Sequence, residues 1–161
     1  MKAKISVFFL VILLTGLIFI PNLYESTIVS KSFSFKSNDE KKVWEKNDTV
    51  SFNFYYAKDD AISLDVFFRI NEHYNQYSNL FLFCELINTY SYDTIVDTLE
   101  FQIYDSWGES LGSGPSSIKT FEINYKKNYS LMKGDYLLNI IHGMRTDSLQ
   151  GFEDIGFKIK K

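Results

Sequence analysis

The stretch IKTFEINYKK, residues 118–127, alternates apolar and polar side chains with a period of two. The apolar set is Phe121, Ile123 and Tyr125, and the polar set is Thr120, Glu122 and Asn124. Because successive side chains of a β-strand point to opposite faces, this stretch predicts a strand with one face in the core and the other in water.

The chain on either side of this stretch contains further segments with the same alternation. They are TVSFNFYY (residues 49–56), ISLDVFFRI (residues 62–70) and FEDIGFKIKK (residues 152–161). The side chains that we predict to face inward are Val50, Phe52, Phe54, Leu64, Val66, Phe68, Ile70, Ile155, Phe157 and Ile159. In the last segment Lys158 and Lys160 would face outward, where lysines discourage pairing between sheet edges.

Two other runs, residues 80–87 and 136–141, are apolar at nearly all positions. Such runs are typical of central strands that are covered on both faces, and we predict this for both. Cys84, the only cysteine, lies in the first run and cannot form an internal disulfide, so we predict a buried core residue.

Turn-forming residues separate these segments, and no helical period occurs after residue 43. Short strands, intervening turns and a 17% aromatic content indicate an all-β protein. We predict an antiparallel β-sandwich, immunoglobulin-like or jelly-roll-like, preceded by an N-terminal hydrophobic helix.

The N-terminal helix is predicted from an export signal. Lys2 and Lys4 precede an apolar run from Ile5 to Ile20, and Pro21 follows. Residues 1–21 are therefore predicted to be a signal peptide or a membrane anchor, both of which remain open. Residues 22–42 lack a sustained period and predict a tether, and residues 43–161 predict the sandwich domain. The exported part would be membrane-anchored in the cell envelope and would face the periplasm.

The charge balance argues against nucleic acid as a partner. The net charge is −3 for the whole chain, and −5 without Lys2 and Lys4. Phosphate binding requires concentrated positive charge, which this composition lacks.

Catalytic and metal motifs are also missing from the sequence. The two histidines, His73 and His142, have no partner at metal-ligand spacing, and we predict structural or surface roles for them. A calcium site built from acidic residues between Asp93 and Glu109 is conceivable but has no regular spacing. We therefore predict no enzyme, no catalytic residues, no metal and no cofactor.

One acidic residue should point into the core. Asp97 shares the period of Ile95, Leu99 and Phe101, so it needs a hydrogen-bond or ion-pair partner, and Arg69 or Arg145 is expected in that role. Arg145 could instead pair with Asp147.

Several aromatic residues lie at or beside predicted turns: Tyr90, Tyr92, Tyr104 and Trp107. Exposed aromatic rings stack on sugars and also concentrate binding energy at protein interfaces, so both readings remain open.

Several motifs resemble the GldH family of gliding motility lipoproteins of Bacteroidetes. They are VWEKNDTVSFNF (43–54), YNQYSNLFLF (74–83), DTLEFQI (97–103), GESLGSG (108–114) and GMRTDSLQGFEDIGFKIKK (143–161). The resemblance implies a non-enzymatic part of the gliding apparatus, which is associated with surface secretion. It also implies a lipid anchor on a cysteine near position 17, where this chain has Leu17.

We therefore expect a non-catalytic envelope component that contacts other envelope proteins of this assembly and the membrane through its N-terminal segment. The candidate partner-binding residues are Trp107, Asp105 and Arg145. The alternative is a carbohydrate-binding β-sandwich module at the cell surface.

Overall fold

The computed structural model describes residues 26–38, 41–74 and 77–161. The regular elements in these ranges are all β-strands. They are β1 (Thr27–Ser34), β2 (Ser37–Asn38), β3 (Lys41–Glu45), β4 (Val50–Tyr56), β5 (Asp60–Asn71), β6 (Asn79–Asn88), β7 (Thr94–Gln102), β8 (Ile118–Leu131), β9 (Gly134–His142), β10 (Ser148–Gln150) and β11 (Phe152–Lys160). None of the described segments forms a helix long and apolar enough to cross a membrane. The predicted N-terminal helix lies outside the described residues.

Eight of the strands form two four-stranded antiparallel sheets that pack as a sandwich. The first sheet has the order β1-β11-β5-β8, and the second has the order β4-β9-β6-β7. The pairing is nested along the chain: β1 with β11, β4 with β9, β5 with β8, and β6 with β7. A small sheet, β10-β3-β2, adds Trp44 and Leu149 to the core.

Aromatic rings join the inner faces of the two sheets. Phe157 of β11 contacts Phe54 and Phe52 of β4, with ring centroids 4.9 and 5.4 Å apart. At the opposite side of the sandwich, Phe68 of β5 lies 4.8 Å from Phe101 of β7. Edge-to-face and tilted contacts of this kind stabilise a core beyond simple burial.

The alternation seen in the sequence is confirmed in the strands that showed it. The predicted inward residues of β4, β5 and β11 are buried, and Phe121 and Tyr125 of β8 are buried with Ile123 packed against the core. Cys84 is buried, as predicted, and burial raises the pKa of its thiol to about 12.

Two predictions about β6 and β9 have different outcomes. Both strands are central, since β9 lies between β4 and β6, and β6 lies between β9 and β7. The prediction that both faces are covered was wrong, because Phe83 of β6 is 46% exposed. Among the described residues, only one face of each strand packs into the core between the two four-stranded sheets.

The structure also differs from the prediction near both ends of the chain. Residues 27–34, predicted as part of a tether, form β1 and pair with β11. This strand is mostly exposed and is held by backbone hydrogen bonds, so its sequence carries little hydrophobic period. As a result β11 is not an edge strand, and its lysines make ion pairs instead of protecting an edge.

Candidate functional site: the Trp107 turn and two outer faces

Trp107 lies at the tip of a closed turn between β7 and β8. The Asp105 carboxylate accepts hydrogen bonds from the backbone N–H groups of Trp107 (2.8 Å) and Glu109 (2.9 Å). The Asp105 N–H donates to the Glu109 carbonyl at 3.0 Å, and Gly108 adopts a φ of +83° that suits glycine. The turn therefore fixes the backbone beneath an indole that is 88% exposed.

The base of this turn is joined to the start of β6. The Ile103 N–H donates to the Ser78 carbonyl and the Leu111 N–H donates to the Ile103 carbonyl, both at 2.9 Å. Ile103 itself is fully buried. These bonds place the Trp107 turn at the end of the second sheet where β6 begins.

Arg145 lies at the same end of the second sheet. The Gly143 N–H donates to the Phe81 carbonyl at 2.7 Å, and the Met144 sulfur accepts the Phe81 N–H at 3.4 Å. Arg145 follows directly and is exposed. The predicted ion pair with Asp147 is not formed, and within the described residues no hydrogen bond or ion pair joins Arg145 to the turn.

The other aromatic residues noted in the sequence divide between the two ends of the sheet. Tyr104 is half-buried beside the Trp107 turn. Tyr90 and Tyr92 are 92% and 78% exposed and lie at the β6–β7 hairpin. The length of β6 separates the two groups by about 30 Å, so they do not form one stacking platform.

Asp97 points toward the interior, as predicted, but with a different partner. Its carboxylate accepts hydrogen bonds from Lys126 at 2.7 Å and from the Tyr125 hydroxyl at 2.9 Å, both on β8. The hydrogen bond from Lys126 lowers the pKa of Asp97. The expectation of Arg69 or Arg145 was wrong: Arg69 pairs with Asp154 of β11. Asp97 thus ties the edges of the two sheets together.

The outward side of the first sheet, called here the first outer face, is covered by paired charges. Lys160 contacts both Asp65 and Glu122 at 2.6 Å, and Lys158 contacts Glu122 at 2.6 Å. Burial raises the pKa of Glu122, but the hydrogen bonds from both lysines outweigh it, and the net pKa is lowered. Lys158, Lys160, Asp65 and Glu122 therefore neutralise one another within the chain.

The outward side of the second sheet, called here the second outer face, carries apolar residues instead. Phe83 is 46% exposed and Val96 is 66% exposed. Neither residue was a binding candidate from the sequence. The sequence feature that could have indicated them is the lack of alternation in residues 80–87, which we interpreted as a strand covered on both faces.

The histidine and the acidic residues that the sequence singled out lie in different parts of the described structure. His142 is 2% exposed, its ring lies 5.4 Å from that of Trp44, and burial lowers its pKa. Asp93 lies at the β6–β7 hairpin, whereas Asp105 lies in the Trp107 turn at the opposite end. Among the described residues no three His, Cys, Asp or Glu side chains cluster as metal ligands would.

Two solved structures have a weak similarity to this chain. A family GH115 4-O-methyl-α-glucuronidase is similar over 83% of this chain and 18% of its own, with 13% identity and a TM-score of 0.41. A family 35 carbohydrate-binding module from Clostridium thermocellum is similar over 79% of this chain and 97% of its own, with 8% identity and a TM-score of 0.36. Likenesses this weak carry no functional information.

Sequence relatives are more informative. A gliding motility lipoprotein GldH homolog from Christiangramia forsetii is 33% identical over 145 residues, covering 79% of this chain and 88% of its own. Gliding motility lipoprotein GldH from Flavobacterium johnsoniae is 31% identical over 126 residues, covering 73% of this chain and 77% of its own. The family described as GldH lipoprotein matches residues 31–159. This chain therefore belongs to the GldH lipoprotein family.

Proposed function

We propose that this protein is a non-catalytic component of the gliding motility and associated surface-secretion machinery, and that it acts by binding other envelope proteins. Membership of the GldH lipoprotein family supports a role in gliding motility, because both relatives carry that function in their names. The Trp107 turn supports a role in binding.

The exposure of Trp107 is the observation that carries the binding part of this proposal. The Trp107 side chain is 88% exposed, and tryptophan is among the residues that dominate the energy of protein interfaces. Asp105 holds the turn in one conformation, which reduces the entropy lost on binding. Arg145, at the same end of the sheet, adds a cation that can make a specific contact with a partner.

We assign no catalytic residues. The acidic residues that the sequence singled out are occupied in structural contacts: Asp97 pairs with Lys126, and Asp105 holds the Trp107 turn. A hydrolytic or transfer reaction needs an acid, a base or a nucleophile that converge on one place. The contacts of these carboxylates support a structural role for each of them.

We further propose that the domain is anchored in the cell envelope and faces the periplasm. The lipoprotein relatives support an anchor, although Leu17 stands where a lipid-bearing cysteine is expected. Intact-mass analysis of protein from separated inner and outer membranes tests this. A full-length chain in the inner membrane indicates a helical anchor, and a lipid-modified chain indicates that acylation occurs elsewhere. A soluble, unmodified species would contradict anchoring.

Among the two sandwich types expected from sequence, we infer the jelly roll. The nested pairing supports this, because the first strand pairs with the last and the innermost two strands pair with each other. The nested pairs alternate between the two facing sheets, as they do in a jelly roll.

The direct test of function replaces Trp107 by Ala in a gliding bacterium that carries this gene. We expect reduced gliding and unchanged protein level, because an 88% exposed side chain contributes less than about 0.5 kcal/mol to folding. Tyr90→Ala is the matched control, since Tyr90 is equally exposed but lies at the other end of the sheet. Normal gliding in the Trp107 variant, or in a gene deletion, would contradict the proposal.

The exposed indole also suits stacking on a sugar ring, which is the alternative function. A glycan array probed with the wild-type protein and the Trp107→Ala variant separates the two. Binding that disappears in the variant supports the carbohydrate-binding alternative, and the absence of such binding removes it.

A further inference from the structure

Three of the rows of side chains that cross the second outer face surround Phe83. In the first row Val96, Glu85 and Asn139 lie side by side on β7, β6 and β9. In the second row Thr98, Phe83 and Ile141 do so. The third row pairs Glu100 with Phe81, and Gly143 lies beside Phe81.

Phe83 is the centre of this arrangement. A Cβ atom on Gly143 would lie 3.0 Å from two atoms of the Phe83 ring, so the ring lies over the glycine backbone. Val96 and Ile141 flank the ring. Together with Phe83 they line a groove of about 270 Å³. The apolar centre is therefore well formed but remains 46% exposed at Phe83 and 66% exposed at Val96.

A carboxylate lies on each side of Phe83: Glu85 two residues further along β6, and Glu100 diagonally across on β7. Glu85 accepts a hydrogen bond from the Asn139 amide at 2.8 Å, and Glu100 accepts one from the Asn79 amide at 3.0 Å. These bonds orient the two carboxylates but bring no positive charge to them.

The four strands of the second sheet contain no lysine and no arginine. Their acidic residues are Glu85, Asp97, Glu100 and Asp135, and only Asp97 is paired with a lysine. The basic residues that border these strands in the chain belong to loops and are Lys46, Lys58, Lys133 and Arg145. The apolar centre is thus flanked by unneutralised negative charge, the reverse of the first outer face.

This charge pattern determines what can cover the face. A second copy of the chain, related by a two-fold axis, would place acidic side chains against acidic side chains. A membrane surface with anionic lipids would repel the carboxylates for the same reason. A protein surface with apolar residues bordered by lysine or arginine would bury Phe83 and Val96 and neutralise Glu85 and Glu100.

We infer that the second outer face is a docking surface for a second envelope protein that presents apolar side chains flanked by lysine or arginine. The inference rests on the proposed function only for the location of the partner in the envelope. It concerns residues distinct from the Trp107 turn, so the two surfaces are testable separately.

Site-specific photo-crosslinking in cells tests the inference with the full chain. The crosslinking amino acid replaces Val96 on the edge strand β7, and a control replaces Ser32 on the edge strand β1 of the first sheet. We expect an adduct from position 96 with one protein, attached at a peptide that contains apolar residues and lysine or arginine. The control position should give no such adduct.

Charge variants then test the electrostatic part. In the Glu85→Gln, Glu100→Gln double variant, which keeps side-chain shape, we expect the adduct yield to fall by about three- to tenfold. Glu100→Lys should reduce the yield further, and exchanging the partner's basic residue for Glu should restore it. Thermal unfolding of each variant checks that the fold is retained.

Several outcomes would overturn the inference. They are an adduct with a second copy of this chain, an adduct with lipid alone, no adduct at position 96, or a yield that the charge variants leave unchanged. If Trp107→Ala leaves gliding normal while the charge-dependent adduct persists, the proposed function fails and the docking surface stands. If Trp107→Ala reduces gliding and no charge-dependent adduct forms at position 96, the proposed function stands and the docking surface is contradicted.

Discussion

The two outer faces of the sandwich use the same local arrangement with opposite results. On each face a phenylalanine ring lies over a glycine of the neighbouring strand: Phe67 over Gly156 on the first, and Phe83 over Gly143 on the second. The Lys158 ammonium lies 4.7 Å from the centre of the Phe67 ring. No described lysine or arginine covers Phe83 in this way. The first face is thus completed by the chain itself, and the second leaves its apolar centre exposed.

The comparison shows that a hydrophobic pattern alone does not decide whether the outward face of a sheet is covered. Lysine stems and paired charges cover the apolar residue of the first outer face. On the second outer face the hydrogen-bonded side-chain pairs near the Phe83 ring are amide–carboxylate pairs, Asn139 with Glu85 and Asn79 with Glu100. A surface of the second kind has more to gain from a partner.

The largest effect is expected when alanine replaces Gly156. Its Cβ would lie 2.3 Å from the Lys31 carbonyl oxygen, which belongs to the backbone of β1, so the strand must shift. We expect a loss of about 3 kcal/mol in the free energy of unfolding, measured by urea denaturation. A Cβ at Gly143 would lie 3.0 Å from the exposed Phe83 ring, which can rotate, and 3.2 Å from the Phe81 Cβ, so Gly143→Ala should cost less than about 1 kcal/mol. Equal losses in the free energy of unfolding would mean that the two glycines are packed equally tightly on their faces.

The second effect concerns the ion pair between Arg69 and Asp154. Asp154 is 3% exposed, so Arg69→Met leaves a buried carboxylate without its cation. We expect a loss of about 1–2 kcal/mol, because the half-exposed position of Arg69 lets water replace part of the interaction. Glu100→Ala on the second outer face is the control and should cost less than about 0.5 kcal/mol. A larger loss in the control would show that Glu100 is needed for folding.

A smaller effect is expected from acid. The hydrogen bonds from Lys158 and Lys160 overcome the effect of burial and lower the pKa of Glu122 below its ordinary value of 4.5. The resulting stabilisation is complete above pH 4.5 and is lost as pH falls through the lowered pKa, because protonation then favours the unfolded chain. Melting temperatures measured from pH 6 down to about pH 3 should fall less steeply in Glu122→Gln than in wild type. Parallel curves would exclude this contribution.

The smallest effect is expected at Val96. Val96→Thr changes a side chain that is 66% exposed and should alter the free energy of unfolding by less than about 0.5 kcal/mol. Val66→Thr, on the fully buried face of β5, is the matched control and should cost more than about 1 kcal/mol, because its hydroxyl enters the core. A large loss at Val96 would mean that the second outer face is covered within the chain.

Much of the fold was predictable because alternation is a local property. The inward residues of β4, β5, β8 and β11 follow from period two, and the antiparallel sandwich follows from many short strands. Strand β1 was missed because its exposed, serine-rich sequence shows no such period. Asp97 was correctly placed inward, but its partner depended on which strand of the opposite sheet lies across from β7.

The candidate site was predictable only in part. Exposed aromatic residues in a turn-rich stretch identified Trp107, but the sequence could not show that Tyr90 and Tyr92 lie at the far end of the sheet. The apolar run in β6 predicted that both faces are covered, but the described part of the chain covers only one of them.

The sequence alone was enough to predict the inward residues of the alternating strands and the family, because side-chain period and motif order are local features of the chain. Tertiary structure alone decided that β1 pairs with β11, that Asp97 meets Lys126, and that Phe83 and Val96 remain uncovered. The reason is physical. These features depend on which strands become neighbours across the two sheets, and such neighbours are far apart in sequence.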